Sequence, residues 1–126
     1  MDFDYDADQG ALLEFGRELA GRFEDAYWQE VDLEYRFPVE FWQALTEHGL
    51  LGLAVPEEYG GGGKGLLELA IAVEGIAEGG GGMEGGTLLV SGPVFGGCLL
   101  IRHGSAEQRE RYLPGLVTGD LWAGAF

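Results

Sequence analysis

From Leu12 to Tyr27, apolar residues recur at steps of three and four: Leu12, Phe15, Leu19, Phe23, Ala26 and Tyr27. Glu14, Arg17, Glu18, Arg22 and Glu24 fall between them. That is the period of an α-helix with one apolar face, and such a face must be buried against a second element. The spacing predicts a helix over 8–31 and a connector over 32–37. A second helix starts near Pro38, a residue suited to the first helical turn, with Phe41, Trp42 and Leu45 on its apolar side; His48-Gly49 ends it. A third, over 65–78, is apolar nearly all round, which reads as a helix buried between others. A fourth runs over 87–102 and bends near Gly92-Pro93. Ser105-Ala106-Glu107-Gln108 has the form of a capping box and opens a fifth, which Leu113-Pro114 ends.

No strand-type alternation appears before residue 121. The expected fold is therefore all-α, a bundle of about five helices over 1–120. Residues 121–126 read as a short strand-like tail, the start of a β domain that is missing here, because six such residues cannot make a sheet alone.

Glycine interrupts this pattern. The chain holds 24 among 126 residues. They follow no three-residue period, which excludes a collagen helix. Gly79–Gly86 reads as a loop. Gly60–Gly65 and Gly80–Gly85 both fit G-x-G-x-x-G, but neither follows a strand inside a βαβ unit, as a dinucleotide fold requires. A phosphate-binding P-loop fails too: Lys64 is followed by Gly65, and Glu58 stands where its first glycine belongs.

Charge excludes other classes. Seven Lys and Arg against 22 Asp and Glu give a net charge of −15. Nucleic-acid phosphates and anionic membranes both call for clustered cations. So acidic a surface, with Lys64 its sole lysine, suits a salt-rich cytoplasm, or else marks an ordinary acidic protein. Cys98 is the only cysteine, so no internal disulfide can form. The N-terminus lacks the basic and apolar regions of a signal peptide, and cytoplasmic localisation is expected. Gly85–Ile101 carries no charge over 17 residues, but spanning a bilayer takes about 20 and this run holds five glycines, so it reads as a core helix.

No metal or nucleophile constellation emerges from residue chemistry. His48 and His103 stand alone at helix ends, where they suit the negative end of the helix dipole. Glu57-Glu58 reads as solvated charge. By these criteria the chain is a helical domain without a catalytic site of its own.

Two long patterns resemble a known family. Phe37-Pro38-x-Glu40-x-Trp42-x-x-Leu45-x-Glu47-x-Gly49-Leu50-Leu51, followed by Val55-Pro56-Glu57-Glu58-Tyr59-Gly60-Gly61-x-Gly63, is similar to the N-terminal helical domain of acyl-CoA dehydrogenases. Glu74-x-Ile76-Ala77 resembles the family's third helix. Gly104-Ser105-x-Glu107-Gln108-x-x-Arg111-Tyr112-Leu113-Pro114-x-Leu116-x-x-Gly119 resembles its fifth. One departure stands out: Gly79–Gly86 is longer than the family's usual connection.

The resemblance implies a subunit of three parts, with FAD held between a middle β domain and a C-terminal helical domain. It implies α,β-dehydrogenation of an acyl-CoA thioester, with a glutamate base outside this chain and electron-transfer flavoprotein as acceptor. Homo-oligomers are common in the family. The chain stops two residues short of the family's T-E-P-x-x-G-S-D segment, so Phe126 takes the aromatic position beside the flavin. The family's acyl chain inserts along the fourth helix, which makes Thr87, Leu88, Ser91 and Phe95 the candidate substrate-binding residues. No residue here is assigned as catalytic or metal-binding, and this piece alone is expected to be inactive and free of FAD. Other readings stay open. Acyl-CoA oxidases and flavin monooxygenases share the scaffold. A free-standing helical module, or a split subunit docking on a separate FAD-binding half, is a reading of a different class.

Overall fold

The computed structural model describes residues 4–122. Among these there is no strand, and the elements are helical throughout: α1 (Ala7–Ala20), α2 (Asp25–Leu33), α3 (Val39–Glu47), α4 (Leu66–Ile76), α5 (Gly82–Leu89), α6 (Leu99–His103) and α7 (Ala106–Val117). A short 3₁₀ turn spans Glu57–Tyr59, and π-helical segments over Ala77–Gly81 and Val90–Cys98 join α4 to α5 and α5 to α6. The backbone from Leu66 to His103 is thus one kinked helix of 38 residues. With α1, α2, α3 and α7 it makes the five-helix bundle expected.

The helix expected over 8–31 is two. α1 closes at Gly21, and the chain turns through Arg22–Glu24 before α2. The turn brings Phe23 edge-on to Phe41 at 5.1 Å and lets Trp28 reach the same ring at 5.0 Å. Such aromatic pairs add about 0.5–1.5 kcal/mol each beyond their buried area, which favours the break over one continuous helix.

Gly79–Gly86 is not a loop. The helix continues through it, underwound into π geometry at Ala77–Gly81 and broken in dihedral angle at Gly80 (φ 110°) and Gly82 (φ 55°). Those two angles lie where only glycine is comfortable. Gly79 has its own reason, since its α-carbon lies against the Arg17 carbonyl of α1 with no room for a side chain. Close helix approach outweighs the poor helix propensity of glycine, about 1 kcal/mol per residue. α7 also runs on past the expected stop: Pro114 sits inside it, and the Thr118 amide donates to the Pro114 carbonyl at 3.1 Å to close the last turn.

α1 lies on α4, and Phe41, Leu45, Leu50, Leu69, Ile76 and Leu89 form the main core beneath them. Each such side chain contributes about 1.5–3 kcal/mol on burial. A smaller core of Val55, Leu113 and Leu116 seats α7 on the 3₁₀ turn. α4 is less enclosed than its composition suggests: Leu66 and Leu67 are exposed at its start. The Leu66–His103 helix is long and apolar enough to cross a membrane, and 44% of its most apolar stretch is buried inside the fold.

Candidate functional site

The second half of the long helix carries the candidate site. Val90–Cys98 is π-helical around Gly92, Pro93, Gly96 and Gly97. π-turns widen the helix and recur at functional sites. Here they present Phe95 to an apolar groove of about 540 Å³. Leu99, Leu100 and His103 continue the same wall; Tyr112 and Leu116 of α7 and Leu121 and Trp122 beyond it form the other. No carboxylate lines the groove, although the chain carries 22. The groove's polar side-chain groups are the His103 ring, the Gln108 amide, the Tyr112 hydroxyl and the Trp122 indole N–H. Phe95, Leu99, Leu121 and Trp122 are all more than a third exposed, an apolar patch on an otherwise acidic molecule.

Thr87 and Leu88 lie elsewhere. They line a second groove, of about 350 Å³, between α5 and α2, with Trp28, Val31, Pro38 and Met83. The Trp28 Nε1–H is buried without an acceptor. The Thr87 hydroxyl donates back to the Met83 carbonyl at 2.6 Å, which leaves its lone pairs free. Ser91 is half-buried and lines neither groove. The four candidates thus share one helix but not one cavity. Phe126 lies outside the described residues.

Leu99, His103, Tyr112 and Trp122 were not among the sequence candidates. The first two had a signal: continuing the four-residue spacing of Thr87, Ser91 and Phe95 gives 99 and 103. Tyr112 and Trp122 reach the groove only through the docking of α7, which no local pattern encodes.

The ionisable groups are structural. Arg36 pairs with Glu30 at 3.1 Å, Glu34 at 3.2 Å and Glu40 at 2.9 Å. Its guanidinium, by hydrogen bonding, holds Glu40 below the ordinary carboxylate range. Burial pushes the Cys98 thiol up, so it stays protonated and unreactive at neutral pH. Among the described residues no cluster of His, Cys, Asp and Glu could hold a metal ion.

Residues 6–120 match the family model described as acyl-CoA dehydrogenase, N-terminal domain. The chain belongs to the acyl-CoA dehydrogenase family. Against an acyl-CoA dehydrogenase of Mycobacterium tuberculosis it is 34% identical over 95 residues, 75% of this chain and 24% of that protein. Against the mitochondrial isovaleryl-CoA dehydrogenase of Arabidopsis thaliana it is 38% identical over 96 residues, 73% of this chain and 22% of the relative. A solved acyl-CoA dehydrogenase from Bacillus anthracis, complexed with FAD, superposes with a TM-score of 0.79 at 26% identity, over 95% of this chain and 21% of that one. The chain therefore spans about a quarter of the length of the family members it matches.

Proposed function

We propose that this domain is the helical N-terminal part of a flavin-dependent acyl-CoA dehydrogenase, and that the groove along Phe95, Leu99 and Trp122 is the face it turns toward acyl chain and flavin. The groove carries the reading: it is apolar, carboxylate-free and set in a domain of this family. In the reaction proposed, the α-proton of an acyl-CoA thioester leaves to a base and the β-hydride to FAD. Flat, apolar walls fit that task, because excluding water from the thioester strengthens the electrostatics of proton removal. Phe95, Tyr112 and Trp122 can pack against an acyl chain or one edge of a planar ring system. No lysine or arginine lines the groove, so the pyrophosphate of a dinucleotide belongs to parts of the protein outside this domain.

The same proposal includes residues 1–120 as one domain with a β domain starting near 121, and the assignment of Thr87, Leu88, Ser91 and Phe95 to the acyl pocket and Phe126 to the flavin side. It also includes electron-transfer flavoprotein as acceptor, a homo-oligomer and a cytoplasmic location. The test is expression of the full polypeptide that carries this domain. Visible flavin absorbance that bleaches anaerobically on adding an acyl-CoA supports the reading. A colourless protein, or flavin that no acyl-CoA bleaches, overturns it.

A further inference from the structure

Trp42 stands on α3 with 8% of its surface exposed, and its Nε1–H donates to the Gly119 carbonyl at 3.0 Å, 77 positions away. Gly119 has φ 74°, and a β-carbon there would lie 2.5 Å from Thr46 Oγ1 and 3.1 Å from Trp42 Nε1. Only glycine lets this turn seat against α3. The turn is tied on both sides: the Thr118 hydroxyl donates to Asp120 Oδ2 at 2.7 Å, and the Leu121 amide donates to the Gly115 carbonyl at 3.0 Å. The next residue is Trp122, a wall of the apolar groove. Opposite it, Gly92 of the long helix leaves its side-chain space open to both indoles, since a β-carbon there would lie 3.5 Å from Trp122 Cδ1 and 3.7 Å from Trp42 Cη2.

We propose that Trp42 is a positioning residue: through the Gly119 carbonyl it latches the turn that leads out of the bundle and so places Trp122 against Gly92 as a wall of the groove. The effect on substrate rests on the function proposed above; the latch itself does not. Trp42 does not itself line the groove, and it acts by fixing where the chain leaves α7. A mostly buried N–H left without an acceptor is costly, so the Trp42 indole holds the Gly119 carbonyl in place.

The test uses the full-length protein, with Trp42→Phe, which keeps an aromatic ring but removes the N–H, and Gly119→Ala, which attacks the same contact from the other side. The amides of Gly119 and Leu121 should exchange with deuterium at least tenfold faster in both variants, while the α1 amides over 13–19 keep their rates. The KM for acyl-CoA should rise several-fold more than kcat falls, with a shifted flavin absorption band. Unchanged exchange at 119–121, or equal acceleration everywhere, overturns the latch. Local acceleration with unchanged KM and flavin spectrum overturns the link to the groove. An unmodified protein that never binds flavin sinks the function proposed above, and the exchange result still decides the latch. Should Trp42→Phe fail to fold, Gly119→Ala carries the same comparison.

Discussion

Gly75 of α4 rests its α-carbon on the Leu13 carbonyl of α1, too close for any β-carbon to fit between them. Gly16 answers from the other side, where a β-carbon would lie 3.1 Å from the Ala72 carbonyl oxygen. The two helices touch backbone to backbone, so a methyl group must push them apart. Gly75→Ala is expected to cost about 1–3 kcal/mol by overpacking. Gly10, with nothing within 4 Å of its side-chain position, is the control. Gly10→Ala should stabilise by about 0.5–1 kcal/mol through helix propensity. Urea denaturation of both variants checks the pair, and equal signs for the two would contradict the contact.

The capping box at α7 is complete: the Gln108 amide donates to Ser105 Oγ at 3.2 Å and the Ser105 amide donates to Gln108 Oε1 at 2.9 Å. Ser105→Ala removes one of these acceptors and should cost about 1 kcal/mol. Ser105→Asp should restore most of it. Thermal melts of the three proteins, side by side, decide the matter.

Glu40 gives a pH prediction with a defined sign. Its hydrogen bond to Arg36, joined by one from the Tyr27 hydroxyl at 3.0 Å, keeps its folded pKa below the ordinary 4.5. A lowered folded pKa contributes stability above the unfolded value that is lost as pH falls through the folded one. Wild type should therefore lose more of its Tm between pH 5 and pH 3, as approximate settings around that window, than Glu40→Gln does. Parallel losses would show that the Arg36 contact carries no linked proton.

A net charge of −15 makes stability depend on salt. Arg17 and Arg36 take up Glu14, Glu78, Glu30, Glu34 and Glu40, all at exposed sites. The remaining carboxylates repel one another across a Debye length that shrinks from about 30 Å at 0.01 M salt to about 3 Å at 1 M. Raising KCl over that range should raise Tm by about 4 °C for each kcal/mol of repulsion relieved. A Tm that falls with salt would show that ion pairs outweigh repulsion.

The piece 1–126, purified alone in low salt, should bind a hydrophobic dye through the Phe95–Trp122 groove and carry no flavin. A dye-silent, monodisperse monomer, or a yellow one, would contradict that expectation.

The starts of α1, α3, α4 and α7 and the stop of α3 were legible because their signals are local. Ser105 and Gln108 are three residues apart, and Gly49 takes the left-handed angle, φ 73°, that ends α3. The break at Gly21–Glu24 was hidden because Phe23 and Tyr27 keep the helical period across it; what breaks the chain there is Phe41, far along the sequence. Gly79–Gly86 was misread for the opposite reason. Its propensity points to a loop, and its helicity depends on the Arg17 carbonyl of another helix. At the site, Phe95 could be singled out from spacing, whereas Tyr112 and Trp122 needed the docking of α7.

The contact between α1 and the long helix also sets an order of events during synthesis. Arg17 and Glu78, which pair across it, are 61 positions apart. At about 5–20 residues per second, the ribosome leaves α1 waiting about 3–12 s for its partner. For that interval Leu13, Phe15 and Leu19 face water on a short helix that cannot hold itself together. The carboxylates of Glu14 and Glu18 alternate with those apolar residues, so the segment waiting for α4 stays charged as well as apolar.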